Sequence, residues 1–257
     1  MNNTFNIQRF SRLLNKQIMD NYASYLMSLA VLAGILFITM GIGLLLNHGD
    51  FDGSAQIGFY ATFLILAGTI FTSMVFADLG DKKKAIPALT LPVSHFEKFL
   101  VGWFISVVIF LLVFTLSFAV VNLIIINLSN GYFDRHNSFF SLADYNKHLD
   151  MLFVGFGFLE AVTFFGAVFF EKLHFIKSIF ALFVILFMIW LGDQPLAQLI
   201  FGQGELRAIP YVGVALPMAN NYTMIGTDNS TLLYYTLIAV TLILWTAAFF
   251  RLKEKQV

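Results

Sequence analysis

Cysteine is absent from this chain, which excludes disulfides and thiolate metal sites while leaving the redox compartment open. Charge is scarce as well. Asp, Glu, Lys and Arg make up 12% of the 257 residues, against roughly 25% in a soluble domain. Acids and bases cancel to a net charge of zero, so there is no bulk basicity for holding nucleic acid. Proline is confined to Pro87, Pro92, Pro195, Pro210 and Pro217, all outside the expected membrane spans. No G-x-x-x-x-G-K-[ST] pattern occurs, so no Walker A loop is present to cradle a nucleotide phosphate. The opening residues, MNNTFNIQRFSRLLNKQIMDNY, lack the short basic region followed at once by an apolar core that marks a signal peptide, and the first span is expected to stay uncleaved.

What is present is apolar surface. Hydrophobic residues make up 59% of the chain, 31 of them Phe, and the mean hydropathy is +0.81. Phenylalanine faces lipid without a hydrogen-bonding demand, unlike Trp or Tyr. About 20 apolar residues are needed to cross a bilayer, and the runs at about 23–46, 57–76, 95–127, 151–170, 175–192 and 231–250 meet that need. The expected fold class is therefore an all-α integral membrane protein, a single domain over 1–257 with six transmembrane helices. Ahead of the first run, Ile7, Phe10, Leu14 and Ile18 recur at helical intervals, with Arg9, Arg12, Lys16 and Asp20 elsewhere around the helix. This predicts an amphipathic elbow helix over 5–20 lying on the membrane surface. The third run stays uncharged to Phe133 and overruns the bilayer, so it must tilt or protrude.

Two long connections complete the chain. Residues 130–150 form a polar loop, and the spacing of His136 and His148 among its acids fits no compact metal motif. Residues 193–230 are too apolar for a free loop and too interrupted by proline for a span; short surface helices or a re-entrant hairpin would satisfy their backbone.

The polar island between the second and third runs organises the rest. Lys82, Lys83 and Lys84 cannot sit in hydrocarbon, and Pro87 and Pro92 prevent the preceding helix from continuing. Ser94 and Glu97 then make an S-x-x-E capping box, so a new helix starts at about His95. Six crossings put both termini and this island on one side. That side holds Arg9, Arg12, Lys16, Lys82, Lys83, Lys84, Lys98, Lys172, Lys177, Arg251, Lys253 and Lys255; the other holds Arg135, Lys147 and Arg207. By the positive-inside rule both termini are cytoplasmic, in a cell (inner or plasma) membrane. On the residues alone, the lysines serve topology and anionic lipid, or they dock a soluble partner.

With its elbow, six spans, cytoplasmic loop after the second span and apolar segment between the fifth and sixth, the chain resembles the ABC-2-type transporter permeases of bacteria. The sequence elements that carry the resemblance are Leu91-Pro92-Val93-Ser94 followed by Glu97-Lys98, and the terminal Arg251-Leu-Lys-Glu-Lys. It implies a permease subunit of an ATP-driven exporter, not itself an enzyme. ATP would be bound by a separate cytoplasmic ATPase, with no cofactor on this chain, and a second, identical or different, permease subunit would pair with it in the bilayer. The coupling role would fall on about 80–91, with Lys82, Lys83, Lys84, Pro87, Leu91, Pro92, Ser94 and Glu97 as its residues and a secondary contact over 171–177. No aromatic ladder or basic groove declares a cargo.

Glu160 is the one acid well inside a span, where an unpaired charge costs at least ~2.5–3.5 kcal/mol. It must be neutral or partnered. Asn122, a tyrosine or a backbone group across the bundle are the structural candidates; the functional alternative puts Glu160, with Asn122, in a translocation path or in proton movement. A permease requires an ATPase partner, a proton-coupled carrier would need Glu160 and no ATPase, and a non-transporting scaffold would need neither.

Overall fold

The computed structural model describes residues 5–75, 94–133, 135–140, 146–170, 173–201, 207–209, 213–218, 221–225 and 230–254. Among them are six helices long and apolar enough to cross a membrane. The spans, in order, are carried by Ile7–Leu46, Gly53–Val75, His95–Phe133, Asn146–Phe169, His174–Phe201 and Ser230–Glu254. They make the all-α multi-pass membrane domain that the composition implies.

Three local outcomes differ from the sequence reading. The elbow and the first span are one uninterrupted helix of 40 residues, about 60 Å long against a hydrocarbon core of about 30 Å. No Gly or Pro separates Asp20 from Ala23, so nothing breaks the backbone ladder where the side-chain pattern changes. The basic turns are an axial extension of the span. At the other end of the chain, the fifth span continues through Pro195 to Phe201. A proline removes one backbone donor but need not end a helix whose neighbours hold it. Beyond it, β1 (Arg207–Ile209), β2 (Gly213–Met218) and β3 (Asn221–Ile225) form a small antiparallel meander in the order β1-β2-β3, where surface helices or a re-entrant hairpin were expected. Antiparallel pairing satisfies the backbone of a stretch that proline keeps from being helical.

The first two spans are joined by a tight turn in which His48 (φ 51°) and Gly49 (φ 83°) are left-handed. The N–H of Gly49 returns to the Leu44 carbonyl at 3.0 Å and closes the helix end. A Cβ at Gly49 would also run into Phe133. Asp52 then caps the second span, its Oδ1 accepting from the Ala55 N–H at 3.0 Å.

The fourth span is the centre of the bundle, packed on the second, fifth and sixth, while the third joins the first, second and sixth. Lipid is as apolar as leucine, so close packing and not exclusion from water holds these helices together. Two apolar clusters result. One gathers Leu36, Met40, Leu64, Phe114, Phe118 and Phe156 toward the end bearing the 47–52 turn; the other gathers Leu13, Val101, Ile105, Phe164, Ala248 and Leu252 toward the opposite end. Phe71, Phe110, Phe114 and Phe118 stack in sequence at 5.2, 5.8 and 6.3 Å between ring centroids.

Candidate functional site

Of the residues of the polar island, Lys82, Lys83, Lys84, Pro87, Leu91 and Pro92 lie outside the described residues, as do residues 171 and 172 of the secondary 171–177 segment. Ser94 and Glu97 are described, and the capping box is formed. The Glu97 N–H donates to Ser94 Oγ at 3.2 Å and the Ser94 N–H donates to Glu97 Oε2 at 3.1 Å. Glu97 does more than cap its own helix. Its Oε1 accepts from the backbone N–H of Asn6 at 2.8 Å and lies 3.2 Å from Arg9 Nη2. Asn6 is itself the N-cap of the first span, its side chain accepting from the Gln8 N–H. One fully buried carboxylate thus serves the N-termini of two membrane-spanning helices at once. Both ends present orphan N–H groups and a partial positive charge, and the Arg9 guanidinium balances the anion in place of water.

The capping box is local and was legible in the sequence; Asn6 and Arg9 were not singled out as its partners. An Asn immediately before an apolar-periodic run was the available sign of a helix start. Its partner on the third span is a matter of tertiary packing.

Glu160 is also fully buried. Its Oε1 lies 2.8 Å from Ser106 Oγ on the third span, and the indole Nε1–H of Trp245 on the sixth span donates to Oε2 at 3.3 Å. Among the described residues, no ion pair reaches it. Ser106 lies within Phe104–Ile109, a six-residue π-helical turn interrupting the α-helix of the third span. Such turns widen the helix by one residue and recur at functional sites. The Trp103 and Trp245 rings meet edge to face at 5.4 Å beside this turn.

Asn122 is not the partner of Glu160. It stands about 24 Å beyond Ser106 along the same helix, where its Nδ2 donates to Gln56 Oε1 at 2.8 Å. Gln56 in turn donates to the carbonyls of Phe51 and Ser138, both at 3.0 Å, and accepts from the Phe140 N–H at 3.1 Å. Alongside, Asn137 donates to the Gly49 carbonyl at 2.8 Å and to Ser129 Oγ at 2.7 Å. Asn130 and Asn137 bond reciprocally, side chain to backbone, at 2.8 and 3.0 Å. This amide network closes the end of the bundle that bears the 47–52 turn by satisfying the backbone of two loops. Side-chain type alone does not distinguish Asn122, a loop anchor, from a polar residue of a path.

Comparison of the chain with protein-family models, with curated proteins and with solved structures finds no match. The class defined by the structure is therefore that of a multi-pass helical membrane protein.

Proposed function

We propose that this protein is the membrane-spanning permease subunit of an ATP-driven exporter, working with a cytoplasmic ATPase and a second permease subunit. The observation that supports it most is the shared cap at Glu97. A displacement of the chain just before Ser94 is delivered through that carboxylate to two long helices together, the third span directly and the first through Asn6 and Arg9. A loop that served only topology needs no such joint; a loop that passes force into the membrane does. The charge distribution of the sequence supports a cytoplasmic position for this end, and the sequence resemblance to ABC-2-type permeases supplies the ATPase.

The test is purification of the tagged chain from native membranes. An ABC ATPase is expected to co-purify, and replacement of Lys82, Lys83 and Lys84 by Ser is expected to lower its recovery in a salt-sensitive way. Deletion of 83–90 in a chain that still inserts should abolish both ATPase recovery and transport. Retention of both by that deletion would overturn the coupling assignment.

A further inference from the structure

We propose that Glu160 carries a proton in this conformation, and that the Ser106–Glu160–Trp245 contact is a proton-dependent latch joining the third, fourth and sixth spans. The first ground is a count of protons. Ser106 Oγ is 2.8 Å from Glu160 Oε1 and 3.3 Å from the Trp103 carbonyl oxygen. A serine hydroxyl has one proton to give. The two contacts are met by separate protons only when the carboxyl supplies the proton of the shorter one and the serine directs its own to Trp103. Oε2 is then the carbonyl oxygen of the acid, which accepts from the Trp245 indole.

The second ground is the absence, among the described residues, of charge around the group. The second span, Gly53–Val75, and the π-turn, Phe104–Ile109, contain no acid, Lys, Arg or His, and the titratable group they do bring, Tyr60, bonds to Thr115 at 3.1 Å. From the third span the nearest charge in sequence is Lys98, about 12 Å along the axis from Ser106, with Glu97 and His95 beyond it. From the sixth span Tyr234 and Tyr235 stand at the outer end, and Arg251, Lys253 and Glu254 begin about 9 Å past Trp245. From the fifth span come His174 and Lys177 at one end and Asp193 at the other. The fourth span itself carries Lys147, His148 and Asp150 at its outer end. Two of these cations are engaged elsewhere: Arg251 lies over the Phe169 ring at 5.2 Å and Lys177 over the Phe170 ring at 5.6 Å. Those rings are about 14 Å or more from Glu160 along the fourth span. Glu97, by contrast, has Arg9 and backbone donors around it.

The third ground is unused hydrogen-bonding capacity at the site. Thr72 Oγ1 faces the same carboxyl as a further donor, and Trp103 Nε1, on the ring that meets Trp245, has no hydrogen-bond partner in this conformation. Loss of the proton gives Glu160 a need for donors. Ser106 then turns its own proton from Trp103 to the carboxylate, and the indole N–H and Thr72, already facing it, are drawn closer to the anion. The π-turn gives the third span the local slack for that change.

The inference does not depend on an ATPase, and its test uses the purified full chain in lipid nanodiscs. Trp190→Phe leaves Trp103 and Trp245 as the only indoles. Infrared spectra at neutral pH should contain the carbonyl stretch of a protonated carboxylic acid. That band should be lost in Glu160→Gln and at alkaline pH, and shifted in Ser106→Ala, where the acid loses its acceptor. Tryptophan emission should change over the same alkaline range as the band in the parent and stay constant in Glu160→Gln. The proposal fails if the parent has no such band at neutral pH, if Ser106→Ala leaves it unmoved, or if emission in Glu160→Gln titrates as in the parent.

Discussion

Two glutamates, neither of them exposed to solvent, are met by different surroundings in this protein. Glu97 is surrounded by the N–H groups of Asn6 and Ser94 and by Arg9, so its charge is compensated where it sits. Glu160 has a hydroxyl and an indole, neither of which carries charge. The side chain is the same and neither is exposed to solvent, but the donors around the two differ. Glu97→Ala should therefore cost more than removal of the cap alone. It strands the donors of two helix ends at ~1–3 kcal/mol per buried group, whereas Ser94→Ala loses ~0.5–2 kcal/mol. Thermal unfolding of the detergent-solubilised variants measures the order. A Glu97→Ala midpoint no lower than that of Ser94→Ala would mean that the link to Asn6 and Arg9 contributes nothing.

At the scale of the helices, close approach is set by single small residues. The second span passes the third and fourth at Gly68, where an added Cβ would meet Phe156 and come within 3.1 Å of a Phe110 ring carbon. Those rings belong to a stacked set, Phe110 with Phe156 at 6.2 Å and with Phe71 and Phe114, so neither can swing away freely. Gly68→Ala is expected to destabilise by about 1–3 kcal/mol through overpacking. Gly58, on the same helix but with open space around it, should tolerate Ala within about 0.5 kcal/mol. Equal unfolding midpoints for the two variants would show that the helices are not packed this closely at Gly68.

For the whole molecule, the distribution of exposed surface and of charge defines its setting. The fifth span exposes Phe180, Phe183, Phe187, Met188 and Trp190, a surface that only hydrocarbon or another helix can cover. By the sequence count, twelve of the fifteen Lys and Arg are expected on one side of the membrane. The absence of cysteine makes the orientation directly measurable. A cysteine placed at Ser138 should react with a membrane-impermeant reagent in intact cells, and one placed at Lys83 only after permeabilisation. The opposite pattern would reverse the topology and remove the basis for a cytoplasmic coupling loop.

Solvation by lipid is a property of some 20 consecutive residues, so the number and approximate places of the spans were determined by the sequence alone. The same is true of the Ser94–Glu97 cap, whose partners are three residues apart on one chain. Where the structure departs, the deciding interactions are not local. The amphipathic pattern over 5–20 describes a face, but whether that helix bends away or runs on depends on a break that the residues between Asp20 and Ala23 do not supply. The π-turn at Phe104–Ile109 has no signature in an uninterrupted apolar run; what the added residue accomplishes is visible only with Ser106 against Glu160. While only polarity was known, Asn122 was one candidate partner of Glu160 beside a tyrosine or a backbone group. Tertiary packing separated them by most of a bilayer's thickness, placing the amide over the Gln56 loop anchor and the acid beside Trp245, because a buried polar side chain is held where the helices bring it a partner.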